Sequence, residues 1–355
     1  MNFAKQSAAR RFAIGTLLVL SRWLPHASAQ QTGPQASPQS SEDLEVIQVQ
    51  PNFYMIAGAG GNIAVQIGPD GVLLVDTGTA QMTGRVLAEI HKLSSQSIRF
   101  IINTSAAADH AGGNEKLSRS VQTSLQGGGG PEGMAGAPAA VIIGSENLLN
   151  RMSAPTGKQA AFPLAAWPTE TFFLKQKPMY FNREGIQIIA QPGAGTDANS
   201  IVFFRRSDVI VAGDIIDSTH FPVIDIEKGG DIQKEIDALN QIIEMAIPSI
   251  PLVWQEGGTR VIPGHGWVSE QADVVEYRDM VTIIRDRVQD LIRKGMTLDQ
   301  VKAANPAQGY RSQYGSDSGP WTTDMFVEAI YNDLSRIASA SAAPARGNTA
   351  PKGKK

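Results

Sequence analysis

The chain has 355 residues, a formal net charge of −3 and no cysteine. A charge this close to zero gives no reason to expect nucleic acid as a partner, and the lack of cysteine excludes disulfides and thiolate zinc sites. Any metal site must use histidine, aspartate or glutamate, and the sequence has only five histidines: His26, His91, His110, His220 and His265. This small number of histidines argues against a histidine-rich centre for two metals.

The first 29 residues have the pattern of a secretory signal peptide. Arg10 and Arg11 supply positive charge, residues 12–20 form an apolar core, and Ala27-Ser28-Ala29 is a small-residue cleavage site. The apolar run is shorter than the roughly 20 residues that span a membrane. We therefore expect a periplasmic or secreted protein with no membrane attachment after cleavage. Residues 30–43, rich in Gln, Ser and Pro, are predicted to be a linker.

From residue 44 the sequence predicts a meander of short strands followed by alternating strands and helices. The strands are expected at 46–49, 53–56, 62–67, 72–75, 98–102, 141–143, 179–181, 186–190, 201–204, 209–212 and 260–262. The helices are expected at 81–93, 232–246, 274–293 and 321–334. We predict one domain over 44–337 and a disordered tail over 338–355. Residues 118–140, with four consecutive glycines, are predicted to form a mobile loop.

Charged or imidazole side chains follow four of these strands. Asp76 follows strand 72–75, and the pair Asp109-His110, followed by Gly112-Gly113, comes after strand 98–102. Asp214 and His265 follow two later strands. Carboxylate and imidazole groups are ligands that zinc prefers, and glycines let the backbone turn sharply near an ion. The pattern indicates a metal site.

The order and spacing of these motifs resemble the metallo-β-lactamase superfamily, and within it the secreted, general metallo-hydrolase branch. The resemblance spans roughly residues 44–335. It rests on Val75-Asp76-Thr77-Gly78, Asp109-His110-Ala111-Gly112-Gly113-Asn114, Ala212-Gly213-Asp214 and Ile262-Pro263-Gly264-His265-Gly266. It implies an α/β (α+β) fold, a four-layer αββα sandwich with the active site along one edge of the two sheets.

The resemblance also implies a degenerate first metal site. In the family, two histidines of a His-x-His-x-Asp-His motif and a third, later histidine hold the first metal. The matching positions here are Ser105, Ala107 and Gly195. The residues that match the ligands of the second metal are Asp109, His110, His265 and the bridging carboxylate Asp214. Losing one complete set and keeping the other implies at most one zinc.

Three interpretations of this loss remain open. In the first, one zinc activates water for hydrolysis of an ester, lactone, lactam or thioester, with Asp109 both a ligand and a catalytic residue and Asp76 orienting the ligands. In the second, the protein is an inactive pseudoenzyme that binds a small-molecule ligand, or a partner through residues 118–140. In the third, His220 replaces a lost ligand, although an exposed loop histidine is the commoner case.

Overall fold

The structure is a computed structural model that describes residues 43–120, 139–153, 159–249 and 257–342, with side chains described only as far as 337. The predicted signal peptide and almost all of the linker lie outside the described residues. So does most of the predicted glycine-rich loop. The described chain belongs to a compact unit that begins at Asp43. None of its helices combines the length and apolar character needed to cross a bilayer.

The first sheet has seven strands, hydrogen-bonded in chain order. They are β1 (Glu45–Gln50), β2 (Phe53–Ala57), β3 (Ile63–Gly68), β4 (Gly71–Val75), β5 (Ile98–Ile102), β6 (Val141–Ser145) and β7 (Glu170–Phe172). Strands β1 to β4 pair antiparallel, which confirms the predicted meander. Strands β4 to β7 pair in parallel, so the chain after β4, β5 and β6 emerges at the same edge of the sheet.

The second sheet has five strands in the order β12-β11-β10-β9-β8. They are β8 (Gln176–Phe181), β9 (Glu184–Ala190), β10 (Ser200–Phe204), β11 (Val209–Asp217) and β12 (Arg260–His265). Only the β11–β12 pair is parallel. The carboxyl ends of β11 and β12 therefore lie side by side, and these are the strands that carry Asp214 and His265.

Helices cover the outer faces of both sheets. They are α1 (Thr83–Leu93), α2 (Ala108–Ala111), α3 (Asn114–Ser118), α4 (Glu146–Ser153), α5 (Ile232–Met245), α6 (Gln271–Arg293), α7 (Leu298–Ala303), α8 (Arg311–Tyr314) and α9 (Thr323–Ala342). Helix α1 packs Val86 and Ile90 on the first sheet. Helices α5, α6 and α9 pack on the second sheet.

A third apolar layer lies between the two sheets. It contains inward-facing residues of both, such as Phe53 of β2 and Phe204 of β10, whose ring centroids are 4.7 Å apart and whose planes meet at 75°. Successive side chains of a strand point to opposite faces, so each strand contributes side chains to two of the three apolar layers. The predicted αββα sandwich is confirmed.

Several predicted boundaries differ from the structure. Strand β11 does not end before Asp214 but continues to Asp217 through an irregular register. Helix α6 begins at Gln271, three residues before the predicted start, because Glu270 and Asp273 form a capping box there. Helix α9 reaches Ala342 and so runs into the segment predicted as a disordered tail. The apolar periodicity also missed the short elements α2, α4, β7, α7 and α8.

We expect Phe204→Ala to lower the free energy of unfolding by about 3–5 kcal/mol, because it removes a fully buried ring from the layer between the sheets. Urea denaturation followed by circular dichroism measures the change. Tyr180→Ala, on β8 with 73% of the residue exposed, is the matched control and should cost less than about 0.5 kcal/mol. Equal losses in the two variants would contradict the assigned core.

Candidate metal centre

His110 is the buried centre of the candidate site. It lies on α2, directly after the edge where β5 ends, and its side chain has no exposed surface. Its Nδ1 lies 2.8 Å from Oδ2 of Asp76. Asp76 adopts a left-handed φ of 64° after β4, and its carboxylate also accepts hydrogen bonds from the backbone N–H and the hydroxyl of Thr104. These contacts fix the orientation of the imidazole ring.

Asp214 reaches His110 from the second sheet. The register of β11 against β12 shifts on both sides of Gly213, as in a β-bulge, and Gly213 has a φ of 56°. A Cβ atom at Gly213 would lie 2.4 Å from Oγ1 of Thr104, so only glycine fits there. Oδ1 of Asp214 lies 2.7 Å from the buried Nε2 of His110, so the two side chains form an ion pair when the imidazole is protonated.

Asp109 and His265 complete the cluster. Nε2 of His265 lies 3.2 Å from Oδ2 of Asp109 and 3.7 Å from Oδ1 of Asp214. Asp109, His110 and His265 each offer a ligand atom, and these atoms lie within 4.8 Å of one another. No other group of three or more such side chains meets this condition in the described part of the chain. The cluster opens to solvent, since the side chains of His265 and Asp109 are 31% and 34% exposed.

The site alternates positive and negative charge. Burial acts against the charge of His110, but the carboxylates of Asp214 and Asp76 outweigh it and raise the pKa of the imidazole well above 6.5. Burial likewise opposes the charge of Asp214, but His110 holds the pKa of that carboxyl well below its usual range. The hydrogen bond from His265 lowers the pKa of Asp109. Burial would lower the pKa of His265, yet this same hydrogen bond raises it.

This donor set fits one divalent metal ion. The buried Nε2 of His110 faces the cluster 2.7 Å from Asp214, and its Nδ1 is held by Asp76 as the outer nitrogen of a metal-binding histidine usually is. Two imidazoles and two carboxylates are a common zinc set. Asp109, His110, His265 and Asp214 are therefore the residues that could hold a metal.

The three positions predicted to have lost a ligand are occupied in different ways. Ser105 is buried, its Oγ accepts the backbone N–H of Ala107, and it helps to lower the pKa of Asp214. Ala107, half-buried, offers no donor atom. Gly195 has a φ of 67°, and a Cβ there would lie 2.9 Å from Nδ2 of Asn199. A histidine in place of this glycine would therefore be strained by about 1–2 kcal/mol before any crowding.

His220 lies outside the cluster. Its Nδ1 is 2.8 Å from Oγ1 of Thr219 and 3.3 Å from Oδ2 of Asp217, and its side chain is 53% exposed. The ring is held within its own loop, which gives no support to its predicted role as a replacement ligand.

The sequence model of the metallo-beta-lactamase superfamily matches residues 56–248, more than half of the chain. The chain belongs to the metallo-β-lactamase superfamily. No curated protein sequence matches it.

Several solved structures are similar in fold to this chain. The stereoselective inverting sec-alkylsulfatase Pisa1 from Pseudomonas sp. has a TM-score of 0.57 at 14% identity, and a double mutant of the sec-alkyl sulfatase PisA1 has 0.58 at 13%. In both, the match covers 81% of this chain and 50% of the other, so this chain spans about half the length of those proteins. A metallo-beta-lactamase from Pontibacter korlensis has a TM-score of 0.49 at 15% identity, covering 68% of this chain and 99% of that one.

Sequence reasoning missed the polar residues that support the metallo-β-lactamase motif. Thr104 gives two hydrogen bonds to Asp76. The hydroxyl of Thr77 donates to the backbone O of His110, and the side chains of Asn103 and Asn114 hydrogen-bond each other. Thr77 and Asn114 belong to the quoted motifs, Asn103 directly follows β5, and Thr104 follows Asn103. Their closeness to the motifs in sequence was the available signal, and it does not show which polar residue supports a ligand.

Glu235 is an unexpected buried acid close to this centre. It lies in the first turn of α5, has no exposed surface, and neither carboxyl oxygen has a hydrogen-bond partner. Burial, with a smaller effect of Asp214, raises the pKa of Glu235 well above 4.5. Its carboxyl is therefore protonated in the folded protein at pH values where the unfolded chain is already ionised.

Glu235→Gln should increase the free energy of unfolding at neutral pH. Below pH 4.5 the carboxyl is protonated in both states and has no ionisation effect. As the pH rises above 4.5, the unfolded state ionises first, so the wild type loses stability relative to the Glu235→Gln variant by up to about 1.4 kcal/mol per pH unit until the folded carboxyl ionises. Urea denaturation of both proteins in EDTA at several pH values measures the difference. A difference that does not grow with pH contradicts the buried neutral acid.

Proposed function

We propose that the chain is a single-metal hydrolase, with one zinc ion held by Asp109, His110, His265 and Asp214. The observation that carries the proposal is the convergence of Asp109, His110 and His265, whose ligand atoms lie within 4.8 Å of one another, with Asp214 2.7 Å from Nε2 of His110. Carboxylates and imidazoles held this close together are the arrangement that one zinc ion requires. A zinc ion bound there supplies a Lewis acid and lowers the pKa of water.

The chain's own residues hold and orient the reactants. Asp76 holds Nδ1 of His110 and so turns Nε2 toward the cluster, where a metal would have to replace the proton that the carboxylate of Asp214 favours. The partly exposed carboxylate of Asp109 has a lowered pKa, so at neutral pH it accepts a proton rather than donating one. The side chains of Asp109, Asp214 and His265 are partly exposed, so the cluster can be reached from solvent.

We propose an ester, lactone, lactam or thioester as the substrate class. These share a carbonyl carbon that water attacks and a carbonyl oxygen on which negative charge develops. A metal ion held by the four side chains would supply the positive charge that faces this oxygen.

A binding protein without catalysis is the second candidate, and one observation favours it. Each imidazole of the cluster already faces a carboxylate, since His110 lies 2.7 Å from Asp214 and His265 lies 3.2 Å from Asp109. These pairs neutralise the centre without a metal, and a metal must displace the protons that they share. Such a protein would keep the fold and the opening for a small ligand.

Mass spectrometry under native conditions should show about one zinc per chain after incubation with zinc and desalting, because the donor set serves one ion. His265→Ala should lose that zinc. His220→Ala is the matched control, because His220 lies in a neighbouring loop outside the cluster, and it should keep the metal. A wild-type protein that binds no zinc would refute the single-metal proposal.

The zinc-loaded protein should hydrolyse at least one chromogenic ester, lactone, lactam or thioester, with the activity abolished by EDTA and restored by zinc. Asp109→Asn should lower kcat/KM by at least about tenfold, since it removes a negative ligand and a proton acceptor. Zinc binding without any hydrolysis across the four substrate classes would favour the binding protein.

We propose that the N-terminal signal peptide directs export of the protein. Residues 1–29 lie outside the described residues.

A further inference from the structure

We propose that Asn62 is a positioning residue that holds His265 against the Asp109-His110 motif. The inference rests on the proposed function, because His265 matters as a ligand of the metal. Asn62 directly precedes β3 and is 5% exposed. It belongs to the turn of residues 58–62, called here the clasp turn.

Asn62 hydrogen-bonds residues that lie on both sides of His265 in the sequence. Its side-chain Nδ2 donates to the backbone O of Pro263 and to that of Gly266, each at 3.0 Å. Its backbone N–H donates to the O of Gly264 at 2.7 Å. One residue of the first sheet thus binds three of the four carbonyls in the segment 263–266, which contains the end of β12 and the metal ligand.

The same clasp turn contacts the other ligands. The backbone N–H of Gly61 donates to the O of Asp109 at 3.1 Å. A Cβ at Gly61 would lie 3.0 Å from Nε2 of His110, and one at Gly60 would lie 3.0 Å from Cβ of Asp109. The turn therefore packs its backbone on the motif of the first sheet while Asn62 holds the loop of the second.

These contacts matter because β5 and β12 belong to different sheets and share no ladder of hydrogen bonds. The distance between His110 and His265 must be set by contacts across the gap, and ligand positions need to be held within about 0.5 Å. A carboxamide suits the role of Asn62, since its NH2 group can donate to two carbonyls at once. A carboxylate of the same shape would instead face two carbonyl oxygens.

The opposing explanation is that Asn62 only joins the sheets. Asn182 provides the matched control, because it is 6% exposed and its Nδ2 also makes two donations across the sheets, to Oε1 of Gln66 at 3.3 Å and to the O of Gly71 at 3.1 Å. Gly71 begins β4, whereas Asp76 follows its end. The control therefore lies at the opposite edge of the sandwich from the candidate metal centre.

The test measures zinc affinity of the full chain by competition with a chromophoric chelator. Asn62→Asp should weaken zinc binding by about 10–100-fold, as loss of a residue that supports a metal ligand does. Asn182→Asp should stay within about twofold of wild type, because the ligands are undisturbed. Unchanged affinity in Asn62→Asp overturns the proposal, and so does an equal loss in both variants. If Asn62→Asp does not fold, Asn62→Ala takes its place.

A second readout separates this inference from the proposed function. The ring resonances of His265 in the metal-free protein, assigned with His265→Gln, should move in Asn62→Asp and stay in place in Asn182→Asp. If wild type binds no zinc, the single-metal hydrolase is refuted, and the ring resonances alone decide the role of Asn62. A His265 ring that keeps its resonances in Asn62→Asp overturns it.

Discussion

The structure depends on the burial of one imidazole between two carboxylates. His110 has no exposed surface, and Asp76 of the first sheet and Asp214 of the second lie on its two ring nitrogens at 2.8 and 2.7 Å. A charged ring buried this deeply would be very costly alone, and either carboxylate without the ring would be costly as well. The three groups therefore stabilise one another only when both sheets are in place. The site and the sandwich thus depend on the same contacts.

This arrangement of His110 between two carboxylates requires unusual backbone conformations at neighbouring residues. Asp76 and Gly213 both have left-handed φ values, and Gly213 leaves the space that Thr104 needs to reach Asp76. A non-glycine residue in this region of φ is uncommon and persists where its surroundings hold it. Three hydrogen bonds to the Asp76 carboxylate hold Asp76 in this conformation. Local strain at the edge of the sheets is thus offset by the contacts that orient the ligands.

Much of the fold could be predicted from the sequence, because its strands are short, β-branched and separated by turn residues. The resemblance of the four motifs to the metallo-β-lactamase superfamily also placed them at one edge of the two sheets. The bulge in β11 could not be predicted, because the sequence Ala212-Gly213-Asp214 gives no sign that the strand continues to Asp217. Asn62 was missed because its partners lie some 200 residues away and are backbone carbonyls, which carry no side-chain signal. Glu235 was missed because helical periodicity assigns inward positions to apolar residues.

The proposed loss of the first metal site concerns more than three side chains. At Gly195 the backbone itself is left-handed, and Val223 O and Asn199 Nδ2 occupy the space around a Cβ. The hydroxyl of Ser105 accepts the backbone N–H of Ala107, so it belongs to the local structure of its own loop. A second metal at these positions would need a change of backbone as well as of side chains, which is why we propose a single-metal centre built on His110.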